Sequence, residues 1–427
     1  MTILRMKRSL HLIGLLALSV GAVFSPVPGY AQGPNDWMAG AFGQTTSSGY
    51  LDRTFARRWQ ANPPKGFPTL SPANVDATKK AIQRYNKIVK AGGWPKIPKG
   101  KLEGGSSGDA IKRLRQRLTA SGDLTESPYW GEGHYGVGLE TAVKRFQATN
   151  GLAPTGIVDK RTLAALNVPA KDRLKQLKLG LKRLRQYVRK TKSKRYVAVN
   201  IPSAQVEAVE GDRIVSRHAG VVGKIDRKTP LLTSRIHELN FNPVWRLPPT
   251  VVNKDLIPKG RSMHRKGQSV LVKYGIDAYD GSGKKVNPQK INWTSSRPFS
   301  LSYRQQPGED NPLGFVKINF HNAHSVYLHD TPSDSIFGRN FRAASSGCIR
   351  VQNVEQLVTW ILNGQDGWER YKVDAIKESG KRKDVRVKKP VKLYFTYITA
   401  WATKDGVIQF RRDLYRKDRV SKLASAY

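Results

Sequence analysis

The chain is 427 residues long and carries 74 Lys+Arg against 32 Asp+Glu, a formal net charge of +42. That length suits two or three domains, and a single cysteine excludes an intramolecular disulfide framework. The basic excess calls for anionic surroundings such as an acidic polymer or anionic lipid; no nucleic-acid module is visible, and a merely solvated basic surface is the competing explanation.

The N-terminus places Arg5, Lys7 and Arg8 before an apolar run from Leu12 to Phe24, then Pro26, Pro28 and Gly29-Tyr30-Ala31. This is the pattern of a cleavable export signal cut after Ala31. The apolar run is too short to span a bilayer, which takes about 20 residues. Removing 1–31 takes away three basic residues and leaves 71 Lys+Arg against the same 32 acids, net +39. Residues 32–101 form an irregular and helical scaffold segment. Within it, apolar positions at Ala77, Ala81, Ile82, Tyr85, Ile88 and Val89 predict a helix over 75–90, ended by Gly92-Gly93.

Residues 102–170 predict three short helices around one core. One face is Ile111, Leu114 and Leu118, a second is Leu139, Ala142, Val143 and Phe146, and a third helix runs from Asp159 to Leu166. This segment resembles the peptidoglycan-binding module of cell-wall enzymes through Ala142-Val143-x-x-Phe146-Gln147, Asn150-Gly151-Leu152, Thr155-Gly156-x-Val158-Asp159 and Thr162-Leu163-x-x-Leu166-Asn167. Its insertion between Leu124 and Tyr135 departs in length from the module. A basic helix follows at 171–192, with Leu174, Leu177, Leu181, Leu184 and Val188 on one stripe.

From residue 193 to 427 the period changes to that of strands. Short strands are predicted around 196–201, 205–209, 213–217, 316–320 and 325–329. A hairpin of Val391–Trp401 with Val407–Arg411 follows a basic loop at 377–389. One helix, Val354 to Leu362, follows the cysteine, with Asn353 and Gln356 as its capping box. Residues 246–310 interrupt the strands with Leu247-Pro248-Pro249 and Pro258-Lys259-Gly260. The segment is long for a loop, and Trp245, Trp293 and Tyr303 favour a lid over a cleft, with disorder as the alternative.

The only thiol, Cys348, sits in Ser345-Ser346-Gly347-Cys348-Ile349-Arg350, nineteen positions after His329-Asp330. A free cysteine kept in an exported chain is a candidate nucleophile, and its polar neighbours describe a turn rather than an apolar core. A thiol reacts as thiolate and needs a base or a positive field. His329 is the candidate base. Strand alternation puts Tyr327 and His329 on one face, and the N–H groups around Gly347 and Cys348 are the natural oxyanion donors. His321, His324, His329 and Asp330 lie close enough in sequence to suggest zinc, but His321 and His324 fall in a turn away from the His329 face. Neither a metal nor a cofactor is expected.

Tyr327-Leu328-His329-Asp330-Thr331-Pro332 and Arg342-Ala343-x-Ser345-Ser346-Gly347-Cys348-Ile349-Arg350-Val351 resemble the signature of L,D-transpeptidases, most closely the large multidomain periplasmic branch with an inserted lid. Pro243-Val244-Trp245-x-Leu247-Pro248-Pro249-Thr250, Arg304-Gln305-x-Pro307-Gly308-x-x-Asn311-x-Leu313-Gly314 and Tyr397-x-Thr399-Ala400-Trp401 add to it. The resemblance implies an α+β multidomain chain: a β-rich catalytic domain with an inserted lid, plus the small three-helix peptidoglycan-binding domain. It implies a cysteine enzyme that cleaves the bond between meso-diaminopimelate and the terminal D-Ala of a tetrapeptide stem, then joins the acyl group to another diaminopimelate in a 3→3 cross-link. Cys348 is then the nucleophile, His329 the base, and Ser346 and Gly347 the oxyanion loop. Tyr327, Trp245 and Asp330 line the substrate cleft. Arg342 and Arg350 are candidates to hold stem-peptide carboxylates by paired hydrogen bonds, and Arg350 could equally brace the active-site loop. Many family members carry histidine where Ser346 stands, which leaves His329 as the evident base. The partners implied are peptidoglycan stem peptides as donor and acceptor, with anionic envelope polymers or outer-membrane proteins as further candidates, in the periplasm. Delivery of the acyl group to water, to a D-amino acid or to a protein is a variant of this reading; a non-catalytic wall-binding scaffold is a different one.

Overall fold

The computed structural model describes residues 66–100, 102–124, 133–191, 194–365 and 367–427. The signal-like segment and most of the insertion at 125–134 lie outside the described residues. Five helices open the described chain: α1 (Ala73–Lys90), α2 (Asp109–Ser121), α3 (Val137–Thr149), α4 (Lys160–Leu166) and α5 (Ala170–Val188). The apolar stripes of α2, α3 and α4 are buried in one cluster, with Ile111, Leu114, Leu118, Leu139, Val143 and Phe146 each at most 2% exposed. Asp159 caps α4 by accepting from the Thr162 N–H at 2.7 Å. The last residues of the chain return to this cluster, where Val420, Leu423, Ala424 and Tyr427 pack against it. Arg173 of α5 ties the two ends together by donating to Tyr427 Oη (2.8 Å) and Asn150 Oδ1 (2.9 Å).

The β-rich part contains β1 (Arg195–Asn200), β2 (Gln205–Glu210), β3 (Arg213–Gly223), β4 (Leu232–Phe241), β9 (Val316–Phe320), β10 (Leu328–His329), β11 (Ala343–Ser345), β12 (Ile349–Val351) and β13 (Lys383–Thr396) in one sheet. Their order is β11-β3-β12-β10-β9-β4-β13-β1-β2, and a further β2–β3 pairing closes the ring. Closure pairs the long strands β1–β4 on both sides and leaves the short β11 bonded to β3 alone. The helix α7 (Val354–Leu362) buries Leu357, Val358 and Ile361 in the same core as the inward residues of the strands.

Between β4 and β9 lies the insertion: β5 (Trp245–Arg246), α6 (Ile257–His264), β6 (Ile276–Tyr279), β7 (Lys285–Val286) and β8 (Ser302–Gln305). Its strands form a separate sheet in the order β5-β8-β6-β7, over a core of its own that includes Leu256, Ile257, Leu271, Ala278, Trp293 and Tyr303. The segment is therefore ordered. Trp293 and Tyr303 do not face a cleft, since both are 2% exposed inside that core.

Three local expectations are corrected. The stretch 377–389 is not a loop: it ends helix α8 (Arg370–Ser379) and begins β13, because Val385, Val387 and Val391 alternate into the core while the lysines between them face out. Strand β13 ends at Thr396, and the terminal hairpin is instead β14 (Ala400–Ala402) with β15 (Ile408–Phe410). Asn353 makes no side-chain cap; it adopts a left-handed conformation (φ 48°) instead of the extended one typical of a capping residue.

The hairpin packs on α1 and α5, with Ala400, Ala402 and Phe410 against Ala81, Tyr85, Leu174 and Leu177. At the closest approach a Cβ on Gly180 would lie 1.8 Å from the Ala400 carbonyl oxygen. Glycine inside a helix ordinarily costs about 1 kcal/mol relative to alanine, but here the space decides. Gly180→Ala is expected to destabilise the chain by roughly 1–3 kcal/mol through overpacking, measured by chemical denaturation; an unchanged or higher midpoint would contradict this packing.

Candidate active site

The site is set by strand register. In the parallel β10–β12 pair His329 lies opposite Arg350, and in the antiparallel β9–β10 pair His329 lies opposite Lys317. Leu328, Ile318 and Ile349 point into the barrel core. Alternation therefore puts Lys317, Tyr327, His329, Cys348 and Arg350 on the outer face of three adjacent strands. Lys317, His329 and Arg350 form one row across it, and Tyr327 and Cys348 stand in the next.

The turn before the thiol is built from backbone and short side chains. Ser345 Oγ accepts from the Gly347 N–H at 3.1 Å and donates to the Cys348 carbonyl at 2.6 Å. Thr229, on the β3–β4 loop, donates to the Gly347 carbonyl at 2.9 Å. With that carbonyl turned to the buried Thr229, the Cys348 N–H points the opposite way, and it has no acceptor among the described hydrogen bonds. A donor left open beside a nucleophile is what an oxyanion site requires. The turn needs glycine, since Gly347 sits at φ 118°, where L side chains are strained.

The sulfur is partly buried, and Tyr327, which stands opposite Cys348 in the β10–β12 register, draws the thiol pKa downward. Tyr327 Oη in turn accepts from Trp245 Nε1 at 3.2 Å, so the inserted subdomain reaches the thiol's neighbour through β5. Lys317 Nζ sits 4.7 Å from the centre of the Tyr327 ring. The Tyr327 and His329 rings meet edge to face at 5.6 Å. His329 Nδ1 donates to the Asp330 carbonyl at 2.6 Å. Sulfur and imidazole thus share one face and both stand beside Tyr327, but no hydrogen bond joins them directly among the described residues, because the register sets Cys348 one position out of line with His329.

Electrostatics keep both groups neutral at rest. Burial, then the Arg350 and Lys317 charges, hold the His329 imidazolium down to about 3. Burial pushes the Cys348 thiol above its ordinary value, against the opposing pull of Tyr327, Lys317 and Arg350. A pre-formed thiolate–imidazolium pair is therefore not the resting state. Alkylation of Cys348 by iodoacetamide, followed by mass, is expected to rise with pH through a midpoint above the free-thiol value of about 8.5. A midpoint below 7 would show an ion pair instead.

Two residues expected in the cleft are elsewhere. Arg342 is a brace: its donors go to the backbone carbonyls of Gly220, Arg339, Ser203 and Ala204, and burial lowers it to about 10. Asp330 follows His329 by one residue and so points to the opposite side, where its carboxylate accepts from the Phe315 N–H at 2.9 Å and burial raises it to about 6. Arg350 stays on the site face, with a buried Nε lacking a partner. Ser346 is exposed, and its hydroxyl accepts from Arg227 at 2.8 Å. His321 stacks on His237 at 4.0 Å and His324 is exposed in the turn that follows. Lys317, Thr229 and Arg227 were missed by the sequence reading. Alternation marks Lys317 as outward-facing, but only the β9–β10 register brings it to His329.

Residues 194–382 match the family described as L,D-transpeptidase catalytic domain (YkuD), and residues 107–166 match the family described as putative peptidoglycan binding domain. A curated relative from Haemophilus influenzae, named "Putative L,D-transpeptidase", is 30% identical over 229 residues, covering 53% of this chain and 45% of the relative. The aligned region thus spans less than half of that protein. Among solved structures, an L,D-transpeptidase from Xylanimonas cellulosilytica overlaps 70% of this chain and 98% of its own at 16% identity and a TM-score of 0.23. One from Stackebrandtia nassauensis overlaps 70% and 96% at 14% identity and 0.27. Residues 194–382 are thus similar to the YkuD L,D-transpeptidase catalytic domain, and residues 107–166 to a putative peptidoglycan binding domain.

Proposed function

We propose that this protein is an exported L,D-transpeptidase of the periplasm, cleaved after Ala31, which forms 3→3 cross-links through a thioester on Cys348. The observation that carries this reading is the sole thiol at a glycine turn, beside an open backbone N–H and on one face with Tyr327 and His329. The Cys348 sulfur attacks the carbonyl of the meso-diaminopimelate–D-Ala bond while the thiol proton passes to neutral His329. Resting contacts of this kind are often long and tighten with substrate bound. The oxyanion meets the Cys348 N–H, and collapse expels D-Ala, whose amine takes the proton from the imidazolium. The side-chain amine of a second diaminopimelate then attacks the thioester, His329 again accepting a proton, and the thiol is restored.

Incubation of the mature protein with disaccharide tetrapeptide tests this by mass. Dimers lacking one D-Ala support cross-linking. Tripeptide alone moves the activity to a carboxypeptidase, and an unchanged substrate removes the enzyme reading.

A further inference from the structure

The β3–β4 loop carries Arg227, whose guanidinium bridges two parts of the site. It grips Asp255 of the inserted subdomain with both terminal nitrogens, at 2.5 and 2.9 Å, and one of them also donates to Ser346 Oγ at 2.8 Å. We propose that Arg227 binds the terminal carboxylate of the donor peptide, and that Asp255 occupies this place at rest. The proposal rests on the donor being a stem peptide that ends in D-Ala.

The two partners are unequal. The Arg227 side chain is only 9% exposed and is fixed against the nucleophile turn, whereas the Asp255 side chain is 44% exposed. The carboxylate can therefore return to water cheaply, while Arg227 keeps only a longer pair with Asp226 through Nε at 3.7 Å and leaves its two terminal nitrogens open to another anion. Asp255 lies on the π-helical turn Val252–Leu256, a distortion that re-aims side chains and is frequent at functional sites. A two-toothed grip on a planar carboxylate is the recognition geometry of arginine.

Substrate chemistry selects the same place. In a donor ending in D-Ala, the free carboxylate carbon is three bonds from the scissile carbonyl carbon, at most about 4 Å away. Its receptor must stand beside the nucleophile turn, and Arg227 is bonded to Ser346, two positions before Cys348. Arg342 is committed to backbone carbonyls, and Arg350 is across from His329.

The test is binding to Cys348→Ala, which does not turn over, of a tetrapeptide ending in free D-Ala and of the same peptide ending in D-Ala amide. The acid is expected to bind roughly 10-fold or more tightly than the amide, as for a charge-assisted pair. Adding Arg227→Gln is expected to bring the ratio near one, Arg227→Lys to leave it intermediate, and Asp255→Asn to tighten the acid several-fold with the amide unchanged. An acid preference that survives Arg227→Gln overturns the proposal, as does a parent without one. Should Arg227→Gln not fold, Asp255→Asn decides alone, and an unchanged acid affinity overturns it. D-Ala release by the wild type, with the acid preference indifferent to Arg227, removes this site and leaves the enzyme. An Arg227-dependent acid preference without D-Ala release removes the enzyme and leaves the site.

Discussion

Cys348→Ala is expected to abolish D-Ala release from disaccharide tetrapeptide and, with it, the covalent adduct that a carbapenem forms on the wild type. The strained lactam carbonyl stands in for the peptide carbonyl, so both reactions need the same sulfur. The expected loss is roughly 10⁶-fold, down to background, as when the nucleophile of an acyl-transfer enzyme is removed. Folding is expected to persist, because the sulfur lies at the edge of the barrel core rather than within it. A carbapenem adduct of full mass on the alanine variant would send the nucleophile elsewhere.

His329→Ala is expected to slow acylation by roughly 10²- to 10⁴-fold, the usual contribution of a general base. The ring is 5% exposed, and its removal leaves the Asp330 carbonyl without its donor. His329→Gln separates the two effects, since an amide can donate to that carbonyl yet cannot take a proton. Both variants are expected to lose acylation, and only the alanine one to lose stability as well. Tyr327→Phe completes the comparison, because Tyr327 stands opposite Cys348 in the β10–β12 register. A near-normal rate in both His329 variants, with a collapse in Tyr327→Phe, would move the base to the tyrosine.

The parts of this chain that were legible in its sequence are those whose signal is local. The stripes of Ile111, Leu114 and Leu118 and of Leu139, Val143 and Phe146 define helices by period alone, and all are buried as that period requires. Alternation through Tyr327, Leu328 and His329 gave the correct facing of the strand, with Leu328 inside. What alternation does not contain is which strand lies beside which. Lys317 and Arg350 flank His329 only because β9 and β12 are the neighbours of β10, a pairing across sequence separations that no window reveals. The same limit misplaced Asp330 and Arg342. An acidic residue after the candidate base His329 and an arginine before the cysteine turn read as ligands, until register and burial assign their polar atoms to backbone partners. Residues 377–389 failed for another reason. Lysine density there outweighed the two valines, Val385 and Val387, that bury the strand.

Catalysis by this site requires that a carbonyl of the donor peptide become bonded to one sulfur. The most direct measurement is a peptide map of the protein quenched in acid during turnover of disaccharide tetrapeptide. The fragment holding Cys348 is expected to carry the mass of the disaccharide tripeptide acyl group, removable by hydroxylamine and matched by released D-Ala. D-Ala released while that fragment stays unmodified at every time point, or an acyl group found on any other residue, would contradict it.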